Sequence, residues 1–278
     1  MIITDGELDR FLAEDVPYGD LTTHALGMGA APGRMVFRAR KAMVVSSTEE
    51  AARLIARTGA VVRDVLPSGS HAEADAILLV AEGRAGALLA SWKVAQTLVE
   101  AASGMATGAR AMVDAARIIR PGIVVACTRK AFPGTRAIAV KAILSGGAVP
   151  HRLGLSETVL VFPEHRAFLT EPLAVTLAKL QAACPEKKLV VEVNTVEEAE
   201  DSALAGAHVV QLEKFPPSDV AVVVARLAQL APLVKVAAAG GVTAANAADY
   251  ARAGAHVLVT SSPYLAPPMD VAVSILPA

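Results

Sequence analysis

The sequence is poor in cysteine, and its apolar runs are short. Cys127 and Cys184 are the only cysteines in 278 residues and lack a metal-binding spacing, so we expect reduced, buried thiols rather than a disulfide framework. No window reaches the roughly 18 consecutive apolar residues that a membrane-spanning helix needs. The opening MIITDGELDR carries acids where a secretory signal would carry basic residues. These absences predict a cytoplasmic protein without a membrane partner.

Aromatic residues are also scarce. They make up 4% of the chain, although apolar residues as a group make up 54%, with alanine and valine abundant among them. This composition excludes a disordered chain and favours helices packed closely over buried parallel strands, whose sequences are continuous apolar runs. The length alone allows one domain or two.

One long stretch of the chain contains no acidic residue. The formal net charge of -1 gives the protein no general attraction to nucleic acid or membranes, yet Asp and Glu are absent from residues 115–156. Within this stretch, residues 126–155 carry the cations Arg129, Lys130, Arg136, Lys141, His151 and Arg152. His151 and Arg152 stand in SGGAVPHRLG, a loop bounded by glycine and proline, and are predicted to bind an anion. Lys141 is assigned to solvent.

From about residue 123 onward, short β-branched runs alternate with helical segments, which is typical of parallel βα units. IVVACT precedes AIAVKAILSGG, and KLVVEVN precedes TVEEAEDSALAGA. AGAHVV (205–210) and AGAHVL (253–258) occupy the same place in their units, where a glycine closes a helix. The pattern fits a TIM-like α/β barrel, complete or incomplete, or an open doubly wound sheet. The barrel is preferred because unusual residues follow nearly every strand.

The first hundred or so residues follow a different pattern. Helices such as TEEAARLIARTG stand among strands that are neighbours in sequence, which indicates an α+β domain. A helical stretch from Ala85 to Ile119 leads from it into the barrel. We predict an N-terminal domain over residues 1–106 and a barrel domain over residues 107–264, with the tail 265–278 returning to the first domain.

In parallel α/β folds the chemistry lies where strands end and helices begin. Those positions hold Arg129-Lys130, Phe162 with Glu164 and His165, Glu192, Glu213, Gly240-Gly241 and Ser261-Ser262. Glu192 and Glu213 end apolar strands, where an uncompensated carboxylate is costly to bury. Either a cation such as Lys130 neutralises them, or they serve a site for a polyanion, sugar hydroxyls and Mg²⁺.

The glycine and serine pairs also allow two interpretations. Gly240-Gly241 could form a tight turn before a helix cap, and the pair alone does not decide the matter. However, Ser261-Ser262 ends the next strand. Many barrels bind phosphate with glycines at the end of one of their last strands and serines at the end of the next, where backbone N–H groups approach the anion. The two pairs match this pattern.

The segment TRKAFPGTRAIAVKAILSGGAVPHRLGL, residues 128–155, resembles the central motif of the type II phosphoribosyltransferases, whose best-known member is quinolinate phosphoribosyltransferase (nicotinate-nucleotide pyrophosphorylase). EDVPYGDLTT (14–23) and SGMAT (103–107) are similar to other signatures of this family, and the resemblance covers essentially the whole chain. PYGDLTT, SWKVAQTLVE and GGAVPHRLGLSETVLVFPEHRAFL are most similar to its ModD group, which is associated with molybdenum-transport operons.

The resemblance implies an N-terminal α/β sandwich, an incomplete barrel, and a homodimer whose site is shared between subunits. It also implies a pentosyltransferase of the nicotinate-nucleotide diphosphorylase type, which transfers phosphoribosyl from 5-phosphoribosyl 1-diphosphate (PRPP), bound with Mg²⁺, to a nitrogen heterocycle. Lys130, Glu192 and Glu213 would act at the ribose and diphosphate, and the two carboxylates would contact Mg²⁺ indirectly. The acceptor would contact Arg129, His151, Arg152, Phe162, His165, Trp92 and Lys93, and the 5′-phosphate would contact Gly240, Gly241, Ser261 and Ser262.

Two positions depart from the quinolinate enzymes. Those enzymes have a lysine where this chain has Phe162 and an arginine where it has Trp92, although Lys93 is adjacent. Both lost cations belong to the pocket for a dicarboxylate ring, so we expect a flatter and less charged acceptor. With quinolinate itself, the product after loss of CO₂ would be nicotinate mononucleotide, on the pathway to NAD.

Two other functions stay open. Lys130 would form a Schiff base if the barrel were an aldolase, helped by the adjacent Arg129. Alternatively, the chain is a former transferase that only holds a phosphorylated ligand or an oxyanion such as molybdate. Glu192 and Glu213 argue against simple anion binding, and the phosphate loops fit PRPP better than an aldolase.

Overall fold

The computed structural model describes residues 2–278. In chain order the helices and strands are α1 (Asp5–Asp15), α2 (Leu21–Ala25), β1 (Pro32–Ala39), β2 (Met43–Val44), α3 (Thr48–Arg57), β3 (Val61–Val65), β4 (His71–Ala72), β5 (Ile77–Arg84), α4 (Ala85–Ile119), β6 (Val124–Cys127), α5 (Arg136–Ser145), β7 (Val149–Pro150), β8 (Val159–Val161), α6 (Pro163–Arg166), α7 (Leu173–Ala183), β9 (Leu189–Val193), α8 (Val196–Leu204), β10 (Val209–Glu213), α9 (Pro217–Leu230), β11 (Lys235–Ala239), α10 (Ala247–Arg252), β12 (Val257–Thr260) and β13 (Val271–Pro277). Although α4 is 35 residues long, no helix in this part of the chain combines the length and apolar character needed to cross a membrane.

The chain divides into two compact units, each built from more than one stretch of sequence. The first contains the residues up to Arg110, residues 131–147 and residues 263–278, and the second contains residues 111–130 and 148–262. This division differs from the domains predicted from the sequence in the position of helix α5. This helix follows a barrel strand in the chain but belongs to the first unit.

The first unit is built on an antiparallel sheet with the strand order β13-β1-β5-β3. Buried and exposed residues alternate along β1, as expected for a strand with one face on a core, and Met35 and Phe37 are fully buried. Their side chains pack with apolar residues of β5, α3 and α4. Strand β13 pairs with β1 from Gly33–Pro277 to Ala39–Val271, so the C-terminal tail forms the edge of this sheet.

Helix α5 is held in the first unit partly by apolar contacts. Ile138 and Ala142 pack against side chains of α1 and α4. Just after α5, Gly146 lies so close to α4 that a β-carbon there would overlap the carbonyl oxygen of Ala106. Only glycine therefore fits at this crossing.

Lys141, on the same helix, is not solvated, so that sequence-based assignment is wrong. Its Nζ lies 2.8 Å from Oε2 of Glu49 and also contacts Oε2 of Glu50. Burial would raise the pKa of Glu49, but hydrogen bonds from Lys141 and Ser68 hold this pKa at about 2. The counter-charge for this cation thus comes from α3, which is remote in sequence.

The second unit is a parallel sheet with the strand order β7-β6-β12-β11-β10-β9-β8, and helices α7, α8, α9 and α10 pack against its strands. Within the described residues, no pairing joins β7 to β8, so the sheet is an incomplete barrel. The α/β class predicted from the sequence, with an N-terminal sheet domain before an incomplete barrel, is confirmed.

The repeated AGAHV motifs have a common structural role in the second unit. Nδ1 of His208 accepts a hydrogen bond from the N–H of Leu189 at 3.0 Å, and Nδ1 of His256 accepts one from the N–H of Val236 at 3.1 Å. Each histidine thus joins the start of its own strand to the start of the preceding one. Burial, followed by the charges of nearby cations, lowers the pKa of His256, which favours the neutral ring that this bond requires.

Replacing Lys141 with methionine is expected to lower the free energy of unfolding by about 3 kcal/mol, because the carboxylate of Glu50 is left buried without its cation. Urea unfolding at neutral pH measures the change. The contribution from Glu49 is present above the ordinary pKa of 4.5 and is lost as the pH falls toward about 2. The difference between wild type and variant should therefore shrink over this range.

The matched control is Lys179→Met. Lys179 is paired with Glu171 at 2.5 Å, but 65% of its side chain is exposed, compared with 19% for Lys141. An exposed pair contributes less than about 1 kcal/mol, so this variant should unfold almost like wild type. Equal losses in the two variants would contradict the role given to the pair between α5 and α3.

Candidate active site

The register of the parallel strands determines which side chains share the inner face of the incomplete barrel. Glu213 of β10 is in register with Ala239 of β11. Two residues earlier on β10, Gln211 is in register with Glu192 of β9 on one side and with Ala237 of β11 on the other. Because partners on adjacent strands point to the same face, two carboxylates and an amide lie together beside small apolar side chains.

Glu192 is partly buried and accepts a hydrogen bond at Oε2 from Nε2 of Gln211, at 2.6 Å. Burial raises its pKa and the negative charge of Glu213 adds to the rise, whereas the Gln211 hydrogen bond and the charge of Lys130 oppose it. Within the described residues no cation is ion-paired with Glu192. A carboxylate neutralised directly by Lys130, one of the two sequence-based interpretations, is therefore not what the structure shows.

Cations stand near these carboxylates. Arg152 is only 7% exposed; burial and then the charge of Arg129 lower its pKa, while the charge of Glu192 acts in the opposite direction. The backbone N–H of His151 donates to the carbonyl of Cys127 at 2.7 Å, and burial lowers the pKa of its ring. Arg129, Arg152 and Glu192 thus form one electrostatically coupled group, as expected for residues that meet an anionic ligand.

Phe162 directly follows β8 and forms a flat surface with its neighbours. Its ring centroid lies 5.3 Å from the guanidinium carbon of Arg152 and 5.7 Å from the centroid of the His165 ring, which is stacked on it. The N–H of Phe162 donates to Nδ1 of His165 at 2.9 Å. The cation–π contact and the ring stack hold an aromatic face next to a buried cation.

The loops after β11 and β12 are joined by hydrogen bonds. Oγ1 of Thr260 donates to the carbonyl of Val242 at 2.7 Å and accepts from the N–H of Ser262 at 2.9 Å. Nδ2 of Asn246 donates to the carbonyl of Gly241 at 3.0 Å. The predicted phosphate-binding pairs, Gly240-Gly241 and Ser261-Ser262, therefore follow adjacent strands in a cross-linked segment.

Gly240 is required for a further reason. It has a φ of +80°, and a β-carbon at this position would lie 2.8 Å from Oε1 of Glu213 and 2.8 Å from the backbone nitrogen of Lys214. Gly241 has the same φ, but the space around it is open. Glycine at 240 thus makes room for a carboxylate of the site, whereas glycine at 241 serves only the backbone conformation.

Trp92 and Lys93 lie on α4 in the first unit. Nζ of Lys93 is 4.1 Å from the centroid of the Trp92 ring and donates to Oε1 of Gln96 at 2.9 Å. The geometry of the second unit does not involve them, and their part in acceptor binding stays a prediction.

Sequence reasoning missed two polar residues of the second unit. Gln211 had a usable pattern, because it stands two residues before Glu213 in a strand and so shares its face. Arg166 had none. Its Nη2 lies 3.4 Å from the carbonyl oxygen of Glu192 and 3.6 Å from Oε2 of Glu198, which accepts from the N–H of Asn194. Arg166 thereby holds the segment that follows Glu192.

The carboxylate oxygens of the site fit a magnesium ion that would arrive bound to a substrate. Glu192 and Glu213 offer carboxylate oxygens, which Mg²⁺ prefers. Within the described residues, no group of three or more His, Cys, Asp or Glu side chains is arranged to hold a metal by itself. Mg²⁺ that shares its coordination with a diphosphate needs only one or two carboxylates from the protein.

A sheet domain followed by an incomplete barrel, with carboxylates, cations and glycines at the strand ends, defines the barrel class of phosphoribosyltransferases. The chain matches the N-terminal domain of quinolinate phosphoribosyl transferase over residues 20–103 and its C-terminal domain over residues 105–274. The chain belongs to the quinolinate phosphoribosyltransferase family.

Relatives and solved structures agree with this assignment. The ModD protein of Rhodobacter capsulatus, a pyrophosphorylase by name, is 52% identical over 256 residues, 91% of this chain and 98% of that protein. Human nicotinate-nucleotide pyrophosphorylase [carboxylating] is 32% identical over 266 residues, 95% of this chain and 88% of that protein. The crystal structure of NadC from Streptococcus pyogenes shares the fold, with a TM-score of 0.90, 21% identity, and coverage of 100% of this chain and 99% of that one.

Gly240→Ala is expected to lower the free energy of unfolding more than Gly241→Ala, as measured by chemical denaturation. Both variants carry the strain of a left-handed residue, roughly 1–2 kcal/mol. Only the first also forces Lys214 and the Glu213 carboxylate to move, which adds about 1–3 kcal/mol of overpacking. Equal stabilities would mean that Gly240 is not needed to accommodate Glu213.

Proposed function

We propose that the protein transfers the phosphoribosyl group of PRPP to a ring nitrogen of a heteroaromatic acceptor and releases pyrophosphate. The observation that carries this proposal is the pair of strand-end carboxylates, Glu192 and Glu213, neither of which is ion-paired with a cation in the described residues. The charges of Lys130 and Arg152 act on Glu192, and Arg129 in turn acts on Arg152. Simple anion binding gains nothing from carboxylates. Carboxylates do help a reaction in which the ribose develops positive charge, because they stabilise that charge.

The reaction is a displacement at the anomeric carbon of the ribose. The bond from this carbon to the diphosphate oxygen breaks, pyrophosphate leaves with the electron pair, and a lone pair of the acceptor nitrogen forms the new bond. Positive charge develops on the ribose in between, and Glu192 and Glu213 stabilise it. Lys130 and Arg129 offset the charge of the departing diphosphate. No general base is required, because the ring nitrogen has a free lone pair.

Magnesium enters this proposal with the donor. Glu192 and Glu213 would meet it through the diphosphate, ribose hydroxyls or water, and when bound it neutralises charge on the leaving group. The loops with Gly240-Gly241 and Ser261-Ser262 would hold the 5′-phosphate by backbone N–H and hydroxyl groups.

The acceptor half of the site supports a different base from quinolinate. Phe162 presents a ring where the family resemblance placed a lysine, and this ring covers the buried Arg152. A flat heteroaromatic ring with one anionic group, or none, suits a stacking surface beside a single cation better than a dicarboxylate does. We also infer a cytoplasmic homodimer with a shared site and a link to molybdenum transport, all carried by the resemblance to the ModD group.

The test is pyrophosphate release by the purified protein from PRPP and Mg²⁺ with quinolinate, nicotinate and a panel of uncharged heteroaromatic bases. We expect turnover with a base other than quinolinate. Lys130→Ala should lower kcat by roughly 100-fold or more, because it removes a cation from the leaving group. If no base in the panel supports pyrophosphate release although the protein binds PRPP, the result would favour the binding-protein alternative instead.

The altered acceptor pocket can be tested at a single position. Phe162→Lys is expected to raise kcat/KM for quinolinate at least tenfold relative to the preferred base, because a second cation then faces the dicarboxylate. The control Phe162→Leu removes the ring without adding charge and should weaken the preferred base without helping quinolinate. If both variants treat quinolinate alike, Phe162 does not determine the acceptor.

A further inference from the structure

Gln211 is a polar side chain in the middle of β10, between two apolar residues. It is 4% exposed, and Val210 and Leu212 on either side of it are fully buried. Strand β10 lies between β9 and β11 in the middle of the sheet, so its side chains have little freedom to move. Solvation therefore does not account for a glutamine at this position.

The two ends of the Gln211 amide have different surroundings. Nε2 donates to Oε2 of Glu192 at 2.6 Å, whereas Oε1 is buried and accepts no hydrogen bond from any described residue. A buried carbonyl without a donor is unfavourable, and an apolar side chain of the same shape avoids that cost. The explanation for this glutamine is therefore to be sought in what it does to Glu192.

Four other side chains act on the carboxylate of Glu192 through their charges. Glu213 on β10, Glu164 on α6, Lys130 after β6 and Arg152 after β7 all interact electrostatically with its carboxylate. Among the described residues, it is the hydrogen bond from Gln211 that fixes the orientation of this carboxylate. It engages Oε2 and leaves Oε1 for a ligand.

We propose that Gln211 is a positioning residue, which holds the carboxylate of Glu192 in the orientation that binds the ribose and diphosphate of the donor. The inference rests on the proposed function, since it assigns a support to one of the groups that would act on PRPP. Supporting residues of this kind typically change affinity or activity by 10- to 100-fold when they are replaced.

Gln211→Met is the variant that separates a positioning role from a structural one. It keeps the shape of the side chain and removes both the donor and the unpartnered oxygen. We expect an unfolding free energy equal to or above that of wild type, together with a roughly tenfold weaker affinity for PRPP with Mg²⁺ by calorimetry. The affinity for inorganic phosphate should not change, because the phosphate loops follow other strands.

The matched control is Gln181→Met. Gln181 lies on α7 and donates to the carbonyl of Pro185, at 3.0 Å. The same chemical change outside the site should leave PRPP affinity and KM as in wild type. A general effect of removing a glutamine would appear in both variants.

A double-mutant cycle tests whether Gln211 acts through Glu192. Glu192→Gln alone should weaken PRPP binding. Adding Gln211→Met to it should cause no further loss, because the carboxylate that Gln211 orients is then absent. Losses that multiply would show that the two residues act independently and would overturn the proposal.

The outcomes separate this inference from the function on which it rests. If wild type binds PRPP but releases no pyrophosphate with any acceptor, while Gln211→Met still weakens binding, the proposed function fails and the positioning role stands. If wild type turns over and Gln211→Met keeps its PRPP affinity and KM, the positioning role fails alone. A stability loss as large as the affinity loss would make Gln211 structural, and absence of PRPP binding by wild type would remove both.

Discussion

The constraint on which the site depends is the register of parallel strands β9, β10 and β11. It places Glu192 beside Gln211, and Glu213 beside a residue small enough to leave space. A carboxylate within a sheet would lose its hydration without compensation if its neighbours were large and apolar. The alanines of β11 and the absence of a side chain at Gly240 are therefore part of the same arrangement as the acids themselves.

The acid-free stretch of the chain separates into two electrostatic roles. Lys141 is neutralised by the glutamates of α3 and stabilises the first unit, whereas Arg129 and Arg152 lie in the second unit, near Glu192, without an acid in their own segment. The stretch crosses between the units along the sequence, which is why one run of basic residues serves both purposes. A cation paired with buried acids is unsuited to ligand binding, because its charge is already compensated.

The residues at the strand ends could be predicted because they depend on local information. The short β-branched runs of β9, β10 and β11 show where each strand ends and so where Glu192, Glu213 and Gly240 stand, and the carboxyl ends of parallel strands meet at one edge. The place of α5 in the first unit could not be predicted in this way. It depends on a close crossing at Gly146 and on acids almost a hundred residues away, and no local pattern carries either contact. The role of Arg166 could not be predicted for the same reason, since its partners belong to β9 and α8.

The two halves of the site differ in how easily evolution can change them. The half that we assign to the donor is built from strand register, glycine conformations and hydrogen bonds between loops, so altering it disturbs the barrel itself. The acceptor half depends on single side chains such as Phe162, which follows a strand and is only partly buried. A cation there can give way to a ring at little cost in stability, and the buried Arg152 then gains a cation–π neighbour in place of a like charge. A fold that keeps its chemistry at the ribose could therefore acquire the different acceptor that we propose through few substitutions.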